Sequence, residues 1–265
     1  MRTLAILTLG LTLAAAPAHA EEREYCPDRP GLGTPACTMA PGRVSVELGL
    51  ADWTGDGDAE QRRDTFTLGE TLLRYGFADH AEVQLGWGGL GFARERDRST
   101  GTIDHRRGGG DLTLALRRNL THPDGDGLAI AAMPFVTLPV GRSPLGDGDW
   151  SAGLQVPASY ELSPVWSLGT TSEIDVAADE DGKGRHLAFA EVVGASARLS
   201  SSITATAEYE VIVDREPGNR HLEHLSAVSL GWQPGNDVQF DVGANLGLNH
   251  AADDLEVYLG VSRRF

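Results

Sequence analysis

From Gly42 to Phe265 apolar and polar residues alternate with a period of two, in segments separated by clusters of Gly, Pro, Asp and Asn. Val238, Phe240, Val242, Ala244, Leu246 and Leu248 fall on one side of an extended chain, with Gln239, Asp241, Gly243, Asn245, Gly247 and Asn249 on the other. Val44, Val46, Leu48 and Leu50 stand in the same relation to Ser45, Glu47 and Gly49. Ile203, Ala205, Ala207, Tyr209, Val211 and Val213 alternate with Thr204, Thr206, Glu208, Glu210 and Asp214. Each such segment is a strand with one oily and one wet face, and the pattern recurs about twelve times, within a range of ten to fourteen.

The connections alternate in length. Thr54 to Arg63, Glu95 to Arg107, Gly141 to Asp149 and Asp179 to Arg185 read as long loops, whereas Ala78 to His80, Ser163-Pro164 and Ser200-Ser201 read as tight turns. Long loops on one side and short turns on the other are the habit of outer-membrane barrels. A soluble sandwich also has an apolar face, so aromatic placement is the better discriminator. Tyr75, Phe77, Tyr160, Trp166, Trp232, Phe240 and Phe265 share the apolar register and fall near the tight turns, as an interfacial girdle does. Trp150 marks the opposite interface, and Arg118 and Arg263 are placed to snorkel at the inner one. The expected fold is all-β: an antiparallel transmembrane β-barrel over residues 42–265.

The chain has 265 residues and a net charge of -16, from 38 acidic against 22 basic side chains. That balance excludes a nucleic-acid binder, which needs a basic footprint. A mean hydropathy of -0.21 excludes a bundle of membrane helices. It suits a barrel, because a lipid-facing stripe averaged with a wet one gives a soluble-looking mean.

Residues 1–20 read as a secretory signal peptide, with an apolar run from Leu4 to Pro17 and Ala18-His19-Ala20 at the cleavage site. Residues 21–41 form an N-terminal periplasmic segment, placed either in the barrel mouth as a plug or outside as an arm. Cys26 and Cys37 lie in an oxidising compartment and are expected to form a disulfide.

The wet face supplies the lumen candidates: Glu47, Glu70, Arg74, Glu82, Gln84, Asp111, Arg117, Glu173, Glu208, Glu210, Asp241, Asn245 and Glu256. Carboxylates in a dry interior cost several kcal/mol each, so either water fills the lumen or Arg74 and Arg117 pair with some of them. An acidic wall favours cations and neutral solutes over anions. Pro134, Pro139 and Pro157 cannot donate ladder hydrogen bonds, so kinks or bulges are expected there, with a lateral route to the bilayer as one consequence. His105, His186, His221, His224 and His250 map to the outer side near Asp104, Glu223, Asp253 and Asp254. They read as ordinary loop histidines. No metal site, no cofactor and no enzymatic constellation is assigned.

The stretches CPDRPGLGTPACTMAPGRVSVELGLADWT (Cys26 to Thr54), ETLLRYGFADHAEVQLGW (Glu70 to Trp87) and GGGDLTLALRRNL (Gly108 to Leu120) resemble the outer-membrane transporter-like family known as "MetA-pathway of phenol degradation". The resemblance covers nearly all of the chain beyond the signal peptide. It implies a Gram-negative outer-membrane channel or uptake protein concerned with aromatic compounds. The final strand YLGVSRRF resembles the signal read by the barrel assembly machinery: Gly260 and Phe265 match, while Arg263 stands where a hydrophobic residue is usual. The expected function is transport of small aromatic or hydrophobic compounds. The alternative is a non-transporting barrel, a lipid-active enzyme or a structural protein. Expected partners are outer-membrane lipid, the assembly machinery and small-molecule solutes, without nucleic acid.

Overall fold

The computed structural model describes residues 23–146, 148–179, 184–216, 218 and 221–265. The signal peptide expected at 1–20 lies outside the described residues. The strand segments are β1 (Val44–Gly57), β2 (Gln61–Leu68), β3 (Glu70–Ala78), β4 (Ala81–Trp87), β5 (Leu90–Asp97), β6 (Ile103–Gly109), β7 (Leu112–Asn119) and β8 (Leu128–Leu138). They continue as β9 (Ser151–Glu161), β10 (Trp166–Ala178), β11 (Arg185–Arg198), β12 (Ile203–Asp214), β13 (His221–Trp232), β14 (Val238–Gly247) and β15 (Leu255–Arg264). Three crossings are split in two, β2 with β3, β4 with β5 and β6 with β7, so fifteen segments make twelve crossings. All pairings are antiparallel and β15 pairs with β1, which closes the barrel.

The splits lie side by side. Gly69 donates to Gly49 O, Gly88 to Asp111 O and Gly110 to Gly89 O, so one interruption runs across four neighbouring crossings. Gly69 and Gly89 have φ near +73° and +74°, which side chains rarely adopt. The inward register changes parity here, from Gln84 and Gly86 to Gly91 and Ala93, as an extra residue in a strand requires.

The polarity of the barrel is inverted. Leu73, Leu85, Phe92, Leu114, Leu168, Val193, Val228, Val242 and Leu259 are exposed, as is every member of the aromatic girdle expected from the sequence. The largest fully buried side chains include Arg74, Arg117, Glu47, Glu82 and Asn119. An apolar exterior around a charged interior is stable only where lipid surrounds it, so this is a transmembrane barrel.

Two sequence expectations are corrected. Thr54 to Arg63 and Glu95 to Arg107 are not long loops, because the strands continue to Gly57 and Gln61, and to Asp97 and Ile103. Above the membrane both faces are wet, so alternation disappears while cross-strand ion pairs such as Arg63–Glu95 and Arg106–Glu95 remain. At Pro134 and Pro157 the ladder loses pairs but keeps its register on both sides, so neither residue makes a bulge.

The wall does open, elsewhere. β7 and β8 pair up to Leu112↔Leu138, and above that point β6 has β5 as its one partner, while β9 begins at Ser151 opposite Thr137. Residues 139–146 fold inward at this seam. Arg142 donates to Gly109 O, Gly141 donates to Asp111 Oδ1, and Leu145 sits where any side chain at Gly91 would stand. At the far end Asp149 and Trp150 are held by Arg185, which pairs with the carboxylate and stacks 3.8 Å from the ring.

Candidate functional site

Residues 23–41 lie inside the barrel, in the half that carries the short turns, the periplasmic end of outer-membrane barrels generally. Prolines at 27, 30 and 35 keep this stretch out of regular structure, so its backbone N–H groups must find other acceptors. They find the wall. Asp28 and Arg29 donate to Glu47, Leu32 and Gly33 to Glu208, Thr34 to Thr171 Oγ1, and Met39 to Glu82. Wall side chains return the bonds: Asn119 donates to Ala36 O, Gln233 to Tyr25 O and Gln239 to Arg29 O. Ala129 and Ala131, wholly buried beside Ala36, keep the β8 wall thin enough for the segment to pass.

The Cys26–Cys37 disulfide closes the middle of this stretch. It brings two carbonyls to the wall arginines: Cys26 O accepts from Arg74 at 2.8 Å and Cys37 O from Arg117 at 3.2 Å.

The charges here are compensated. Asp28 takes Arg117 in a two-point clasp, with contacts of 2.8 and 2.6 Å, and reaches Arg74 at 2.9 Å. Arg74 also holds Glu47 at 3.1 Å and Glu82 at 2.9 Å, and Arg117 lies 3.4 Å from Glu82. Gln84 bridges Glu82 and Asp28. Burial alone would lift the Asp28 carboxyl, but Arg117 and Arg74 outweigh it and hold the group below the usual carboxylate range. Arg29 makes a second anchor, 3.1 Å from Asp241 and 3.9 Å from Glu70, with its guanidinium over Tyr258. Gly260 faces that guanidinium, and a Cβ there would collide with Arg29 Nε.

The outer half differs. Glu173, Asp175, Glu210, Glu223 and Glu256 line the inner face of β10, β12, β13 and β15, and Glu210 lies within electrostatic reach of Glu173, Glu223, Glu208 and Glu256. Among the described residues no arginine or lysine pairs with any of them. Glu173 accepts from Gln155 at 2.5 Å and Glu256 from Asn245 at 2.6 Å. Asp52 extends this wall onto β1. The arginines of this half sit across the lumen at Arg63 and Arg106, beside Glu95. There they border a cavity of about 290 Å³ that also touches Thr54, Asp56 and Leu145.

The sequence-derived lumen residues thus fall into three groups. Glu47, Arg74, Glu82, Gln84 and Arg117 form the buried network, joined by Glu70, Glu208 and Asp241 as further holders of the segment. Asp111 holds residues 139–146 instead. Glu173, Glu210, Asn245 and Glu256 belong to the acidic outer wall. Phe265 lies on the exterior, its backbone paired with Val44.

The histidines do not converge. His221 faces inward and His224 outward on β13, where its Nδ1 meets the Tyr209 hydroxyl at 2.6 Å. Reading the wall alone missed Asp28, Arg29 and Asn119. The available signal was a charged pair, Asp28-Arg29, inside a cysteine-closed stretch next to a strongly acidic lumen.

Residues 27–265 match the family described as "Putative MetA-pathway of phenol degradation". The chain belongs to that family. No curated protein matches it. Among solved structures, an outer membrane channel from Pseudomonas putida F1 superposes with a TM-score of 0.69 at 14% identity, over 94% of this chain and 100% of that one. The NanC porin gives 0.52 at 11% identity, over 83% of this chain and 98% of that one. The translocator domain of the autotransporter NalP from Neisseria meningitidis gives 0.52 at 14%, over 86% and 90%. At these identities the likeness is one of fold, and this family member shares the outer-membrane barrel architecture with all three.

Proposed function

We propose that this barrel is an outer-membrane channel for small aromatic or hydrophobic compounds, selective against anions, with residues 23–41 as its periplasmic plug. The observation that carries the reading is the contrast inside one lumen, occupied by residues 23–41 and charge-compensated below, lined by carboxylates without arginine or lysine partners among the described residues above. The names of similar structures, a channel and a porin, support the same class, and the family description supports an aromatic solute.

Flux into proteoliposomes tests the reading, with phenol as the neutral probe and benzoate as the anionic one. Phenol uptake above that of protein-free vesicles, with benzoate excluded, is expected. Absence of flux for both, together with release of fatty acid from the vesicle lipid, would replace the channel by the lipid-active alternative.

A further inference from the structure

At the outer rim, two connections bring four chemistry-bearing side chains together. His186 is the second residue of β11, Asp214 the last of β12, Asp179 follows β10 and Glu216 follows β12. The His186 side chain is 6% exposed. Its Nδ1 lies 2.9 Å from Asp179 Oδ1 and 3.0 Å from Glu216 Oε2, and its Nε2 lies 2.8 Å from Asp214 Oδ1.

Protons alone serve this arrangement badly. Nδ1 carries one hydrogen or one lone pair, directed along a single line, yet two carboxylates from different loops converge on it.

A metal ion suits the same atoms. Ligand atoms from Asp179, His186 and Glu216 all lie within 4.8 Å of one another. Tetrahedral bonds of about 2.0–2.1 Å place ligand atoms roughly 3.3 Å apart, close to the separations here. Asp214 then faces the other ring nitrogen, the position from which a carboxylate fixes the tautomer and orientation of a ligating histidine. Asp214 is itself held, because its Oδ1 accepts the backbone N–H of Glu216 at 2.9 Å.

We propose that Asp179, His186 and Glu216 form a site for a divalent ion of the zinc class, with Asp214 as the positioning carboxylate. One imidazole with oxygen donors favours zinc and its neighbours over calcium or magnesium. The bound ion ties the β10–β11 connection to the β12–β13 connection on the inner rim of the outer mouth, directly above the acidic wall. The site stands whether or not the barrel conducts.

The test is calorimetric titration of untagged, detergent-solubilised protein with ZnCl₂ after EDTA stripping, with heat-modifiable gel migration as the folding check. One ion per chain is expected. His186→Ala abolishes binding, Asp214→Asn keeps the stoichiometry but weakens affinity about 10–100-fold, and His250→Ala leaves it unchanged. Folded His186→Ala protein that titrates like the parent overturns the proposal. So does displacement of the zinc by equimolar CaCl₂, which would mark a loose acidic cluster.

Discussion

In the periplasmic half of the lumen Glu47, Glu82 and Asp28 share Arg74 and Arg117 at distances of 2.6 to 3.4 Å. In the outer half Glu173, Asp175, Glu210 and Glu256 face one another with help from Gln155 and Asn245. Both sets sit on the same kind of strand face. They differ in access to water. A carboxylate walled off by a polypeptide segment must be neutralised locally, because an uncompensated buried charge costs several kcal/mol, whereas a carboxylate beside open lumen keeps its hydration. The arginines therefore stand where the lumen is filled, and the uncompensated negative charge stands where solute would pass.

Arg74 is the strongest point at which to break this contrast. Arg74→Met removes the Arg74 ion pair from Glu47 and leaves Glu82 with Arg117, and a loss of about 3–5 kcal/mol is expected, read as a lower temperature for loss of heat-modifiable migration. Glu210→Gln in the outer half is expected to change that temperature negligibly, within about 0.5 kcal/mol. Reduction of the Cys26–Cys37 bridge comes next. Its loop-closure contribution is about 3 kcal/mol or less, and protease access to residues 23–41 should rise while the barrel itself stays resistant.

The pH response of the segment is smaller and follows from Asp28. Its folded pKa is depressed, so its stabilisation is fully present above the ordinary aspartate pKa, about 3.9, and is lost as pH falls through the lowered value. The Asp28 contribution to protease protection of the segment should therefore hold down to about pH 4 and be lost in stronger acid, and Asp28→Asn should remove that component. The smallest effect belongs to selectivity. Glu173→Gln with Glu210→Gln should move the cation-to-anion permeability ratio toward one, without measurable change in barrel stability.

The barrel was legible because lipid and lumen impose opposite polarities on alternate residues, so strands such as Val238–Gly247 declare both faces at once. The girdle was legible for the same reason. The splits at Gly69, Gly88–Gly89 and Gly110 were not, since a parity change between two well-patterned halves looks like a loop. The long upper strands were hidden because Arg62, Arg63, Asp64, Glu95 and Arg96 are wet on both faces and lose the period of two. Within the lumen, wall residues could be named from register, but their partners could not. Asp28 and Arg29 reach Arg117 and Asp241 across 89 and 212 residues of sequence. Gly260 matched a terminal assembly pattern, yet in the fold it also makes room for Arg29.

Planar-bilayer conductance of the intact chain against a chain lacking residues 23–41 tests the central claim most directly. The intact barrel should conduct little. The shortened one should show a several-fold larger, cation-selective conductance, with its reversal potential shifted by Glu173→Gln and Glu210→Gln. Equal conductance in the two chains would contradict the account of residues 23–41 as the element that closes this lumen.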